Sequence, residues 1–278
     1  MDLRDLNALR RFLSEHDLQL RKSLSQNFLI NKTILQRAVH KAEIQKGDRV
    51  FEIGPGLGAL TLTLLEAGAD VVAVEKDHSF AQILPNLLKE YSDRLEVIEG
   101  DALQYSIKQP MKMVSNIPFQ ITVPILSFIA SNQKFFTTGS PIILFVQKEM
   151  GEKIVAQAGT KNNNPLALFC QFHFELKLLA DVSRKSFFPI PKSDCTLLSL
   201  YPKNHLPLSH DQSLEFFSFV DNCFTHKRKM LRSTIKGSDL LQKIGQKETA
   251  RPEDLSLNDY LLLFRLFTIQ SEGKGSNN

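Results

Sequence analysis

Cysteine is scarce in this chain of 278 residues: Cys170, Cys195 and Cys223 are the whole complement. An odd number with no close pair excludes a disulfide framework and a zinc ribbon, and fits a reducing cytoplasm. Long hydrophobic runs are missing as well. A membrane span needs roughly 18 apolar residues, and the nearest approach, Tyr260 to Ile269, is broken by Arg265. The opening Met1-Asp2-Leu3-Arg4-Asp5 is charged and no apolar stretch follows it, so no secretory leader is expected. There is no internal repeat, and the only low-complexity tract is the polar Ser271 to Asn278. Membrane, secreted and metal-finger classes are thereby excluded, and a cytoplasmic location with no structural metal is expected.

What is present is an ordinary globular composition, 42% hydrophobic and 23% charged, enough for a sizeable core. The net charge of +4 is mild but uneven. Residues 1–50 carry 10 basic and 6 acidic groups, 51–200 carry 13 and 15, and 201–278 carry 11 and 9. Basic ends around a slightly acidic body suit an enzyme acting on a polyanion, and equally an ordinary solvated surface.

From Arg49 onward short β-rich runs alternate with helical patterns. Strands are expected at Arg49 to Ile53, Asp70 to Glu75, Leu95 to Ile98, Lys112 to Ser115 and Ile142 to Val146. Helices are expected at Ala59 to Ala67, His78 to Tyr91 and Val123 to Ala130. Apolar strands alternating with helices imply an α/β fold whose parallel sheet is covered on both faces. Leu166 to Leu179 and Thr196 to Leu200 read as longer β segments around the proline-rich Phe187-Phe188-Pro189-Ile190-Pro191. Tyr201 to Ser213 shifts to Pro, Asn, His and Ser, a linker composition. Beyond it Leu214, Phe217, Val220 and Phe224 recur at helical spacing. Two domains are therefore expected, 1–205 and a helical 206–278.

The first strand runs into Glu52-Ile53-Gly54-Pro55-Gly56-Leu57-Gly58-Ala59. Glycines there permit a tight turn and bring backbone N–H groups close to a ligand at a helix start. Gly54, Gly56 and Ala59 satisfy the dinucleotide pattern G-x-G-x-x-A, so a nicotinamide or flavin site has to be weighed. Glu75 closes the next strand, where a carboxylate can accept from both hydroxyls of a ribose, in NAD and in S-adenosylmethionine alike. Asp101 ends the third strand and could accept from an adenine amine, although such a residue is more often a turn or cap. Strand four ends in Asn116-Ile117-Pro118-Phe119, for which a dehydrogenase has no use. An exocyclic amine is a poor nucleophile because its lone pair is delocalised into the ring. An amide oxygen on Asn116 and a main-chain carbonyl fixed by Pro118 would hold it pyramidal. Phe119 would stack on the base. The target must be extruded or unpaired, since N6 in a duplex is inaccessible. Asn116, Pro118 and Phe119 are the expected catalytic group.

Here the sequence resembles the small-subunit rRNA adenine-N6,N6-dimethyltransferase family, the KsgA type. The likeness covers nearly the whole chain. It includes Arg21-Lys22-Ser23-Leu24-Ser25-Gln26-Asn27-Phe28-Leu29, Val146-Gln147-Lys148-Glu149, Phe188-Pro189-Ile190-Pro191-Lys192-Ser193-Asp194-Cys195 and Phe224-Thr225-His226-Lys227-Arg228-Lys229-Met230-Leu231. Departures are Ser25 for Gly, Ile117 for Leu, Phe119 for Tyr, and Lys161-Asn162-Asn163-Asn164 for the family's loop pattern. The resemblance implies a Rossmann-like class I S-adenosylmethionine-dependent methyltransferase with a small C-terminal helical domain. It implies S-adenosylmethionine held by Asn27, Leu29, Gly54, Glu75, Asp101 and Asn116. It also implies RNA contacts by Lys227, Arg228, Lys229 and Arg232, a cluster that with Lys236 reads as one basic helix face or as a solvated one. The implied substrate is a pair of adjacent adenines in a hairpin near the 3′ end of small-subunit rRNA, in an immature ribosomal subunit. A monomer is expected. Large-subunit rRNA adenine methylation and non-catalytic ribosome assembly are the alternatives.

Overall fold

The computed structural model describes residues 2–18, 20, 26–136, 139–227, 229–235 and 238–275. In chain order its elements are α1 (Leu6–Glu15), β1 (Phe28–Leu29), α2 (Lys32–Lys41), β2 (Arg49–Ile53), α3 (Ala59–Glu66), β3 (Asp70–Glu75), α4 (His78–Leu87), β4 (Leu95–Glu99) and β5 (Lys112–Asn116). There follow α5 (Thr122–Ser131), β6 (Ile142–Gln147), α6 (Lys148–Ile154), α7 (Pro165–His173), β7 (Phe174–Val182), β8 (Phe187–Phe188) and β9 (Cys195–Pro202). Helices α8 (His210–Phe224), α9 (Arg232–Ile235), α10 (Ser238–Lys243) and α11 (Leu257–Gly275) complete the order.

The chain divides into two compact units, 1–151 with 176–202, and 152–175 with 203–278. The first is built on a seven-stranded sheet of order β4-β3-β2-β5-β6-β9-β7. β2 pairs in parallel with β3 and with β5, β3 with β4 and β5 with β6, while β9 runs antiparallel to β6. The burial explains the sequence: Ile142 to Val146 is inaccessible throughout, as is Val71 to Val74, which is why these strands read as continuous apolar runs. Order reverses between β2 and β5, so their carboxyl ends flank the crevice where open α/β sheets place ligands. Polar caps fix the helix starts. Asn31 accepts from Ile34 N–H before α2, and Asp77 from Ser79 N–H before α4. At Gly58, which precedes α3 with φ +82°, a Cβ would stand 2.5 Å from Leu84 Cδ1.

The second unit is helical. Its core joins Leu168, Phe172, Phe216, Val220, Leu241 and Tyr260. Asn163 is inaccessible and donates through Nδ2 to the Glu253 and Leu255 carbonyls, each at 3.0 Å. The composition break at 206 lies close to its start at Lys203, but the unit also takes in Glu152–Glu175. That segment departs from the expected β reading, because Pro165–His173 is a helix. Asn164 caps it by accepting from Ala167 N–H, and Pro165 stands in its first turn. The apolar run Leu166 to Cys170 carries no period of its own, so the cap decides.

The basic cluster does not lie on one helix. α8 stops at Phe224, Lys227 and Lys229 occupy the connection, and α9 begins only at Arg232. Arg228, Lys236 and the Arg21 to Ser25 part of the amino-terminal motif lie outside the described residues.

Candidate active site

A cleft of about 730 Å³, its open mouth included, lies at the carboxyl ends of β2 and β5. Asn27, Leu29, Gly54, Glu75, Asn116, Pro118 and Phe119 all line it, so seven of the expected residues converge from four separate stretches of chain. Asp101 is not in the lining. Its carboxylate accepts from Leu103 N–H at 3.0 Å and pairs with Lys76 at 2.8 Å, and that ion pair holds its pKa below the ordinary carboxylate value.

The glycine turn leaves no room for a side chain at Gly56. Gly54 and Gly56 have φ +65° and +57°, and a Cβ on Gly56 would stand 2.7 Å from Phe28 Cε1. Glu75 organises the turn from beneath. Its Oε2 accepts from Gly56 N–H at 2.9 Å and its Oε1 from Asp77 N–H at 2.8 Å. Burial nonetheless pushes its pKa up, outweighing those two donors.

Asn116 is held by its nitrogen. Nδ2 donates to the Asn27 carbonyl at 2.9 Å, which fixes the amide plane and leaves Oδ1 buried without a hydrogen-bond partner. β1, which follows Asn27, is itself held: Phe28 and Leu29 pair antiparallel with Phe188 and Phe187, and Ile30 N–H donates to the Ser186 carbonyl at 2.9 Å. In the same motif the Pro118 carbonyl accepts from Ile121 N–H at 3.1 Å, and the Phe119 carbonyl from the Thr122 hydroxyl at 3.0 Å. Phe119 is half-buried, with its ring 6.5 Å from that of Phe187 in an edge contact.

Three features of the site went unread in the sequence. Glu52 lines the cleft at 1% exposure, and its Oε2 accepts from Thr61 Oγ1 at 2.7 Å. Burial first, and the nearby Glu75 charge second, push its pKa up to about 8. The buried Ser115 hydroxyl accepts from Ile53 N–H at 2.8 Å and so ties the ends of β2 and β5 together. Leu3 and Leu9, from a region assigned no element, cover one wall. An acid two positions before the glycine turn was the available signal for Glu52.

The state of Glu52 is testable. The folded chain holds this proton between the ordinary carboxyl value of 4.5 and about 8, whereas the unfolded chain releases it, so stability is lost as pH rises through that window. Glu52→Gln should therefore gain on the parent by on the order of 3 kcal/mol between pH 5 and pH 8.5. Urea melts at the two pH values measure this, and parallel changes in both proteins would show that Glu52 is ionised.

The expected RNA contacts have mixed surroundings. Lys227 Nζ donates to the carbonyls of Lys161 and Asn163 at 2.7 and 3.0 Å, and Arg232 pairs with Glu248 at 3.2 Å, while Lys229 is exposed. Among the described residues no group of His, Cys, Asp and Glu is placed to hold a metal ion, and no helix is long and apolar enough to cross a membrane.

Similar proteins share this arrangement of chain. "Ribosomal RNA small subunit methyltransferase A" of Lactobacillus acidophilus is 33% identical, over 91% of this chain and 93% of its own. The protein of the same name from Protochlamydia amoebophila is 34% identical, over 93% and 95%. The crystal structure of a dimethyladenosine transferase from Plasmodium falciparum superposes with a TM-score of 0.76 at 26% identity, covering 87% of this chain and 97% of that one. The family model described as ribosomal RNA adenine dimethylase matches residues 17–268, and with relatives this similar over nearly their full length the chain belongs to that family.

Proposed function

We propose that this protein transfers methyl groups from S-adenosylmethionine to N6 of adenine in ribosomal RNA, twice on each of two adjacent adenines in a hairpin near the 3′ end of small-subunit rRNA. The observation that carries the reading is the Asn116 amide: its nitrogen is tied to Asn27, and its oxygen is buried without a partner in a residue that lines the cleft.

The cleft suits that donor better than a dinucleotide. Among the described residues its lining includes the carboxyl groups of Glu52 and Glu75 and no Lys, Arg or His. A pyrophosphate finds no cation among the described residues of such walls, whereas a donor bearing a sulfonium and an ammonium needs none. The Gly56 N–H that would cradle a phosphate is already given to Glu75. Gly54, Glu75, Asn27 and Leu29 would hold the donor, with Asp101 reaching it from the rim. The donor supplies an electrophilic methyl group. The protein's part is positional: Asn116 Oδ1 accepts one N6 hydrogen, the main-chain carbonyl of Ile117 accepts the other, and the lone pair is turned out of the ring plane toward the methyl carbon. Phe119 stacks on the extruded base. Pro118 fixes the turn that presents these groups, and holding the reactants in line accounts for most of the rate.

The names of the relatives support rRNA as the substrate. The proposed division of roles gives catalysis to 1–205 and RNA contacts, through Lys227, Arg228, Lys229 and Arg232, to 206–278. The enzyme would act in the cytoplasm as a monomer on an immature small subunit. Transfer of labelled methyl to immature small subunits tests this. Label on large-subunit RNA would assign the alternative substrate, and tight binding without transfer would make the protein an assembly factor. In the same assay, Arg228→Ala with Arg232→Ala should lower the log–log salt slope of RNA binding by up to about 1 per lost phosphate contact. An unchanged slope would remove both arginines from the RNA contacts.

A further inference from the structure

A second group of cations stands in the first unit, around β8. Arg184 and Lys185 form the turn before it, and Lys192 follows the Pro189-Ile190-Pro191 loop after it. Arg184 Nη1 donates to the Lys192 carbonyl at 3.2 Å, which closes the loop on itself. From α1, the Arg10 guanidinium lies over the Phe188 ring, 5.2 Å from its centroid. All four cations are exposed.

The carboxylates nearby are otherwise engaged. Asp194 Oδ1 accepts from the Arg184 backbone N–H at 2.9 Å, and Asp181 pairs with Lys148 at 2.7 Å. None of the four cations takes part in an ion pair among the described residues. In the second unit, by comparison, Lys227 donates to two carbonyls and Arg232 pairs with Glu248. Ile190, between the cations, is 62% exposed, an apolar tip that a purely solvated face does not need.

This surface is continuous with the cleft. Phe188 is in register with Phe28, the residue after Asn27, and the neighbouring Phe187 meets the Phe119 ring. Phosphate-binding groups and a guanidinium stacked on an aromatic ring, adjoining an amide poised for a base, form the pattern that single-stranded nucleic acid requires.

We propose that the RNA strand flanking the target adenine runs over β8, its phosphates on Arg184, Lys185 and Lys192 and a neighbouring base against the Arg10–Phe188 stack. The proposal rests on the reading of the substrate as RNA and locates part of its interface in the catalytic unit.

The test uses the full-length protein and a short rRNA hairpin carrying the two adenines, with binding titrated across salt concentration. Lys185→Ala with Lys192→Ala should lower the log–log slope by about 1.4, the value for two single-strand contacts, while Lys185→Arg with Lys192→Arg keeps it. Arg10→Ala should weaken binding severalfold with less change in slope. S-adenosylmethionine binding and the thermal melt should match the parent in every variant. A parental slope in the alanine pair, with the melt intact, would overturn the assignment. Methyl transfer by the parent to the same hairpin separates the two readings: if the parent transfers methyl while the alanine pair keeps its slope, the surface alone is wrong.

Discussion

Replacing Asn116 by alanine is expected to lower methyl transfer at least about a hundredfold, the scale seen when one positioned polar group is removed from a catalytic site. Oδ1 is the cleft's buried acceptor without a partner, at the end of β5. The substitution also removes the bond to the Asn27 carbonyl, so the chain before β1 loses one of its ties and the donor should bind somewhat less tightly. RNA binding should persist, because phosphate contacts elsewhere dominate its affinity. Single-turnover transfer with both ligands saturating isolates the chemistry. Phe119→Tyr should keep most of the activity, whereas Phe119→Ala loses the stacking contribution of about 1–3 kcal/mol.

Glu75→Ala should have the next largest effect, and on two properties at once. The carboxylate is expected to accept from the donor's ribose, and hydrogen bonds to charged groups are worth about 1.5–3 kcal/mol, a loss of affinity on the order of ten- to a hundredfold. The geometry adds a second cost. Without Glu75 the N–H groups of Gly56 and Asp77 are both left without their acceptor in a buried turn, so the melting temperature should fall too. Glu75→Gln, which still accepts through one oxygen, should recover part of the stability and little of the affinity. Calorimetric titration with S-adenosylmethionine and with NADH reads the outcome. Tight NADH binding by the parent, with none of S-adenosylmethionine, would show the glycine turn to be a dinucleotide site.

The core of the first unit was legible because its signals are local. Runs such as Val71 to Val74 announce buried parallel strands, and a glycine turn between a strand and a helix has one use at the switch point of a sheet. The place of Asn116 at the cleft was legible for the same reason, a strand end carrying a distinctive motif. What escaped depends on packing at long range. No local pattern says that Ser115 bonds to Ile53, that Leu3 and Leu9 return to cover the cleft, or that Glu52 loses its charge through burial beside Glu75. The stretch from Leu166 opens with five apolar residues and then alternates polar and apolar to Lys177, a strand pattern, and the Asn164 cap makes its first part a helix. The basic cluster illustrates the opposite hazard. Charge is visible in sequence, but its availability is not, and the Lys227 ammonium is taken up by two carbonyls of the Lys161 to Asn163 loop.

The most direct test is chemical identification of the product. The purified protein is incubated with S-adenosylmethionine bearing a labelled methyl group and with immature small subunits lacking the modification, and the rRNA is digested to nucleosides for mass spectrometry. The account predicts N6,N6-dimethyladenosine carrying the label, approaching two residues per subunit, and none from the Asn116→Ala protein. Label recovered on any other nucleoside, or undiminished dimethyladenosine from Asn116→Ala, would contradict it.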